Sequence, residues 1–367
     1  MVVFVVIGVV TVLLGQIIPL LTVRLSLSDA EAGTFFLAQF SGGLIGTLMS
    51  GPLVRRIGFV VTLLVGLGII IAGVPAVAFP DFWACWCAIF IYGMGLGLTT
   101  PAANLLTIEI TEPQLQARAL NLMNFAWGLG AIVCQPFIAA TATAASVMPA
   151  LLLLVFFLGI ASLLLFSIRS SEPSHYVDSE PSAPYLWKAG RPWMFAAFVF
   201  VCIGIESGLS GWLTTYSNTL RSSLNIAFVF FLSFVTGRAI ASAISKQISE
   251  NSLITVGIAL LFFGAVLLAV AATPPIAILG SIFAGLGSSP IFPTHMVRFA
   301  KTFGPSATRN AIPIFIAGIL GSASVSGLVG VVSTEFGGMS KGIVVILIAA
   351  VALIAIQAFL LASSRRI

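Results

Sequence analysis

"RSSEPSHYVDSEPSAPYLWKAGR", residues 169–191, is the longest polar interval in a chain that is otherwise apolar. Its density of serine, proline and charge marks a linker. Outward from it the sequence divides into two halves of similar design. Six apolar runs precede it, at approximately 2–23, 32–53, 58–79, 82–106, 114–140 and 147–168, and six follow, at approximately 192–216, 224–245, 252–272, 275–298, 309–332 and 341–363. Each is close to the ~20 residues that a helix needs to cross a hydrocarbon core. Strands of a transmembrane barrel would alternate apolar and polar residues instead, and no such alternation is present. The expectation is an all-α membrane protein with twelve transmembrane helices in two six-helix bundles, 1–168 and 192–367, with 169–191 as a cytoplasmic linker. Two bundles joined in this way face each other across a central cavity in many carriers.

Composition leads to the same class. Hydrophobic residues make up 59% of the 367 and charged residues 7%, against roughly 25% charged in a soluble domain. The net charge of +5 is dispersed among loops with no basic run, which argues against a nucleic-acid partner. Cys85, Cys87, Cys134 and Cys202 all lie inside apolar runs, so neither a disulfide nor a metal site is expected. The first run starts at Met1 without a basic flank or a small-residue cleavage site, and reads as a span rather than a signal peptide. Ser28-Asp29-Ala30-Glu31 and Thr111-Glu112-Pro113-Gln114 have the capping-box pattern that opens helices, here spans two and five.

Basic residues set the orientation. With the N-terminus inside, one side of the membrane holds Arg55, Arg56, Arg118, Arg169, Lys188, Arg191, Lys246, Arg298, Lys301, Arg309, Arg365 and Arg366, and the other only Arg24, Arg221 and Lys341. Twelve against three places both termini in the cytoplasm. A compact chain with short tails fits a bacterial inner membrane.

"GPLVRRIG", Gly51 to Gly58, falls between spans two and three and resembles the GxxxDRxG signature of major facilitator superfamily transporters, with Arg55 where the family has an aspartate. Gly51, Arg56 and Gly58 match it, and Arg118 after span four stands where the family often keeps an arginine. "GLGSSPIFPTHM" (Gly285–Met296), "GRA" (Gly237–Ala239) and "GIESGLSGWLTTY" (Gly204–Tyr216) resemble the fucose:proton symporter family and the related sodium-dependent glucose transporters. The resemblance implies the major facilitator fold and a small polar solute, most of all a monosaccharide. It also implies alternating access, by facilitated diffusion or coupled to H⁺ or Na⁺. Fucose:proton symporters couple through acids in their first and fourth spans, where this chain has Gln16 and Asn104.

Once the loop and span-end charges are set aside, three ionisable residues lie inside spans well away from loops and chain ends: Glu206, Arg238 and His295. Burying a charge there costs about 2.5–3.5 kcal/mol on insertion scales, so each is a candidate for coupling or gating, as is Arg56 in the loop motif. Glu206 lies about fourteen residues into span seven, roughly 21 Å deep, where a carboxylate can take a proton, a sodium ion or a sugar hydroxyl. It can equally be a structural acid satisfied by Ser207 or Ser210. Arg238, roughly 9 Å from the cytoplasmic edge, differs from it in depth by about 12 Å, which argues against a permanent salt bridge. Arg238 can bind substrate, clamp a gate or snorkel. His295 suits either proton coupling or the C-terminal dipole of its helix.

Neutral groups complete a candidate solute site: Gln16, Gln39, Asn104, Asn121, Asn124, Trp127, Gln135, Trp212, Tyr216, Asn310 and Gln357. Amides pair with hydroxyls and an indole offers an apolar face, a combination suited to a sugar ring, although single membrane amides also serve as interhelical hydrogen bonds. "GMGLG" (Gly93–Gly97) lies inside span four and reads as close helix packing rather than a nucleotide loop. No catalytic constellation is present, so an enzyme is not expected, and neither is a cofactor beyond a coupling ion. The partners are a small solute and the bilayer, with no nucleic acid, and the chain is expected to be monomeric. Two competing readings are an exporter of amphipathic compounds or lipids and a non-transporting receptor or scaffold.

Overall fold

The computed structural model describes residues 2–112, 115–143, 145–166, 186–244, 247–304 and 311–364. Among them the regular structure is helical, without strands. We number the helices α1 Val2–Leu25, α2 Asp29–Ile57, α3 Phe59–Ala76, α4 Phe82–Glu109, α5 Gln116–Thr141, α6 Met148–Phe166 and α7 Gly190–Thr219. They continue as α8 Ile226–Ile244, α9 Glu250–Val270, α10 Pro274–Ser288, α11 Ile291–Phe303, α12 Ile312–Phe336, α13 Met339–Gly342 and α14 Val344–Ser364. Among the described residues twelve segments are long and apolar enough to cross a membrane, with α10–α11 and α13–α14 each forming one. Large apolar side chains lie bare on their outer faces, Phe166 at 77% and Leu163 at 72% exposure, as a hydrocarbon solvent permits and water does not.

Contacts divide the chain into two compact units, Met1–Leu27 with Thr34–Ser179, and Ser28–Gly33 with Glu180–Ile367. The division falls inside 169–191, most of which lies outside the described residues. In the first unit α1 packs on α5, and α3 on α4. In the second, α7 packs against α12 and α14, while α10 packs against α8 and α9. The first turn of α2 belongs to the second unit. Its capping box forms as the sequence leads one to expect: the Ser28 hydroxyl accepts from the Glu31 N–H at 3.2 Å, and Glu31 accepts from the Ser28 N–H at 2.8 Å. The second expected box includes Pro113 and Gln114, which lie outside the described residues.

Three boundaries differ from the sequence expectation. Span two runs on through Arg55 and Arg56 to Ile57, and the chain then turns at Gly58, whose φ of 79° is a conformation that favours glycine. Span twelve is preceded by the short helix α13. Span ten is broken between Ser288 and Ile291. Pro290 has no N–H to give to the carbonyl of Leu286, and the Ser289 hydroxyl donates to that carbonyl instead, at 3.0 Å. Beyond the break α11 continues to Phe303, which carries Arg298 into the protein rather than into a loop.

Candidate functional site

Around Glu206, backbone packing decides where the side chain points. Gly204 and Gly208 are one turn apart, and a Cβ on Gly204 would meet the Gly321 carbonyl oxygen at 2.8 Å, while one on Gly321 would meet that of Phe200 at 1.9 Å. Helices α7 and α12 therefore touch backbone to backbone, as small residues allow in membranes. Ser207 and Ser322 join across the same interface, hydroxyl to hydroxyl, at 2.7 Å. Glu206 is two residues from each of Gly204 and Gly208, about 200° round the helix, so it leaves α7 on the face away from α12. It is half-buried, and among the described residues its carboxylate accepts no hydrogen bond. The expected structural partners are engaged elsewhere: Ser207 holds Ser322, and Ser210 donates to the Ser207 carbonyl at 3.1 Å.

Arg238 is half-buried on α8, its guanidinium 4.5 Å from the centre of the Phe234 ring one turn away. Gly237 brings α8 close to the break in span ten, because a Cβ there would lie 2.4 Å from the Ser289 hydroxyl. No direct ion pair joins Arg238 to Glu206, as the depth difference leads one to expect, yet each lies within the other's electrostatic reach. The second unit thus presents an acid and a base, on adjacent helices, at membrane depth.

His295 is fully buried. Its Nδ1 accepts from Arg298 at 2.7 Å and its Nε2 lies 3.2 Å from the Phe195 carbonyl, a pattern that requires the neutral Nε2–H tautomer. Its ring stacks on Phe198 at 4.1 Å. Arg298 also donates to Gln357 at 2.9 Å and Asn251 at 3.3 Å, and Gln357 donates to Thr255 at 3.2 Å. This polar hub ties α7, α9, α11 and α14 together at one end of the unit. The sequence missed it because Arg298 was counted with the loop charges; the (i, i+3) spacing of His295 and Arg298 was the signal.

Several expected solute ligands are placed elsewhere. Trp212 and Tyr216 are fully buried and their polar atoms are bonded, Trp212 Nε1 to the Ser326 carbonyl at 2.8 Å and the Tyr216 hydroxyl to that of Leu268 at 2.7 Å. They belong to the core. Trp212→Phe is accordingly expected to lower stability by about 1 kcal/mol, one buried hydrogen bond, with solute flux retained; thermal unfolding and uptake measured on one preparation check this. Gln357 belongs to the hub. Asn104 and Asn124 donate to carbonyls one turn back in their own helices, Thr100 at 2.8 Å and Leu120 at 3.0 Å. Arg56 is exposed at the end of α2. Asn310 and the side chain of Asn121 lie outside the described residues.

The first unit gathers other expected residues around one threonine. Trp127 Nε1 donates to the Thr11 hydroxyl at 3.3 Å, Gln39 Nε2 to the Thr11 carbonyl at 3.1 Å, and the Tyr92 hydroxyl to Gln39 at 3.4 Å. Gln16 is buried on the same helix as Thr11, and Gln135 is half-buried on α5. The close approach of α1 and α5 that makes this possible rests on Gly8 and Gly130, whose added Cβ atoms would lie 2.1 and 2.0 Å from carbonyl oxygens of the other helix. No described group of three or more His, Cys, Asp or Glu could hold a metal ion.

Comparison with known proteins bears on this arrangement. Residues 1–308 match the family model for the Major Facilitator Superfamily. A glucose/galactose transporter of Brucella abortus biovar 1 (strain 9-941) is 26% identical over 364 residues, covering 90% of this chain and 85% of that protein. Among solved structures, the E. coli fucose:proton symporter FucP in its outward conformation superposes with a TM-score of 0.68 at 16% identity, covering 98% of this chain and 96% of that one. The nucleoside transporter NupG superposes with a TM-score of 0.76 at 14% identity, covering 98% of each. At such identities the structural likeness speaks for the fold, which carriers of different solutes share.

Proposed function

The chain belongs to the Major Facilitator Superfamily of transporters, and on that premise we propose that its solute is a monosaccharide, moved by alternating access. The observation that carries the proposal is Glu206: a carboxylate at membrane depth, turned away from the α7–α12 seam, accepting no hydrogen bond among the described residues. A group so placed calls for donors, and sugar hydroxyls supply them. Arg238 on the adjacent helix offers donors to the hydroxyl and ring oxygens of the same solute. The end-to-end match to a glucose/galactose transporter favours a hexose over a nucleoside. Thermal unfolding of the purified protein with a panel of hexoses, pentoses, nucleosides and hydrophobic drugs tests the solute class. Saturable stabilisation by a hexose is the expected result; stabilisation by drugs alone supports an exporter of amphipathic compounds and overturns the proposal.

Glu206 is also the site we assign to H⁺ or Na⁺ where flux is ion-driven. Uptake with Na⁺ replaced by choline, and with the pH gradient collapsed, separates three cases: loss in the first assigns Na⁺, loss in the second assigns H⁺, and persistence in both assigns uniport. We place both termini in the cytoplasm of a bacterial inner membrane. Removing the buried Arg298 from the twelve inner charges leaves eleven against three, so the bias survives the correction.

A further inference from the structure

We propose that the Trp127 indole is the platform on which the first unit holds a hexose by its apolar face, and that Thr11 is the positioning residue that aims it. The inference rests on the monosaccharide reading above and adds to it a group that distinguishes galactose from glucose.

Helix α1 is enclosed almost all round. From Val6 to Ile18 every residue is buried except Thr11, which is half-exposed. The Thr11 hydroxyl has one hydrogen, and the Ile7 carbonyl, 2.7 Å away, takes it. An indole N–H can only donate, so the 3.3 Å contact of Trp127 Nε1 with Thr11 Oγ1 runs in one direction, from Trp127 to Thr11. The threonine backbone is held as well. Gln39, 5% exposed, donates to the Thr11 carbonyl at 3.1 Å and accepts from the fully buried Tyr92 hydroxyl at 3.4 Å. Helices α2, α4 and α5 therefore converge by hydrogen bonds on one residue of α1, and the acceptor that aims the indole is rigid.

The indole is turned away from lipid. Leu122, Phe125, Leu129 and Val133 are exposed on α5 and form a stripe at helical spacing. Trp127 is two residues from both Phe125 and Leu129, about 160–200° round the helix from them, and is half-exposed on that opposite side. It also stands midway along α5, Gln116–Thr141, rather than at the end where an interfacial tryptophan belongs.

The sugar supplies the complement. Ring C–H groups lie favourably on the electron-rich face of an indole. In galactose the axial 4-hydroxyl leaves the hydrogens of C3, C4 and C5 together on the other side of the ring, whereas in glucose the C4 hydrogen points to the opposite side. A fixed indole therefore meets a larger apolar patch on galactose.

The experiment measures KM and kcat of counterflow in proteoliposomes for each sugar, with the unfolding midpoint of each variant. Thr11→Val keeps the branched shape and removes the acceptor. It is expected to raise KM about fivefold for galactose and at most about twofold for glucose, with kcat within about twofold of native. Thr11→Ser keeps the hydroxyl and is expected to restore the native values. Trp127→Phe has no N–H to be aimed; it should raise the galactose KM likewise, and combining it with Thr11→Val should add little, because both remove one hydrogen bond. A lowered kcat and midpoint with both KM values unchanged would make the bond merely structural and overturn the proposal. Equal KM shifts for the two sugars overturn the epimer assignment, and additive effects overturn the positioning role. If Trp127→Phe fails to fold, the two Thr11 variants give the answer. Native protein without counterflow of either hexose removes the monosaccharide reading and this inference together; hexose flux with a native KM in Thr11→Val removes this inference alone.

Discussion

Glu206→Gln is expected to lower hexose counterflow in proteoliposomes by about tenfold to a hundredfold while the protein still folds. One or two charge-assisted hydrogen bonds to a solute are worth that much when each contributes about 1.5–3 kcal/mol. The fold is spared because the surfaces that bury α7 are Gly204, Gly208 and Ser207, which contact α12 and α14, and the Glu206 carboxylate holds no described neighbour in place. Glutamine keeps the volume and removes the charge. If Glu206 were a structural acid instead, the variant would lose stability and keep its flux. Counterflow and the midpoint of thermal unfolding, measured on the same preparation, separate these two outcomes.

The second large effect falls on assembly. Gly321→Leu is expected to prevent the second unit from closing, because the first added carbon would lie 1.9 Å from the Phe200 carbonyl oxygen, a backbone atom that no rotamer change can move aside. Helices α7 and α12 would have to separate, breaking the Ser207–Ser322 and Trp212–Ser326 hydrogen bonds. The loss amounts to several kcal/mol, on the order of a typical protein's whole stability. Fluorescence-detected size-exclusion chromatography of detergent extracts should show little or no monodisperse protein. Gly68→Ala is the matched control. A Cβ there meets nothing within 4 Å, and alanine is the better helix former by about 1 kcal/mol.

Much of the architecture was legible in the sequence because membrane spans announce themselves by length and apolarity. Solvent selects for both at every position of α6 or α14, whether or not the residue touches another helix. The Ser28–Glu31 cap was legible for a local reason: both partners lie within one turn. Pro290 stood inside span ten without being read as a break, because whether a proline kinks or splits a helix depends on what satisfies the freed carbonyl, and here the Ser289 hydroxyl does so.

The site was legible only in part, since burial and partnership are tertiary. Glu206 stood out because an acid in an apolar run has few explanations. Trp212 and Tyr216 could not be told from solute ligands by type or spacing, and only their bonds to the carbonyls of Ser326 and Leu268 place them in the core. Arg298 was masked by its position near a span end. Five residues of helix beyond the expected boundary at 298, to Phe303, turned a loop charge into the centre of a hub with His295 and Gln357.

On our proposal this protein carries a monosaccharide along a path that Glu206 lines. This is tested most directly by counterflow in proteoliposomes preloaded with unlabelled D-glucose or D-galactose and diluted into trace labelled sugar. Saturable transient accumulation of label that depends on the preloaded hexose is the predicted result, with accumulation reduced at least tenfold by Glu206→Gln and preserved by Trp212→Phe. Reconstituted, folded protein that accumulates neither hexose, or that accumulates it equally well with glutamine at position 206, would contradict the claim.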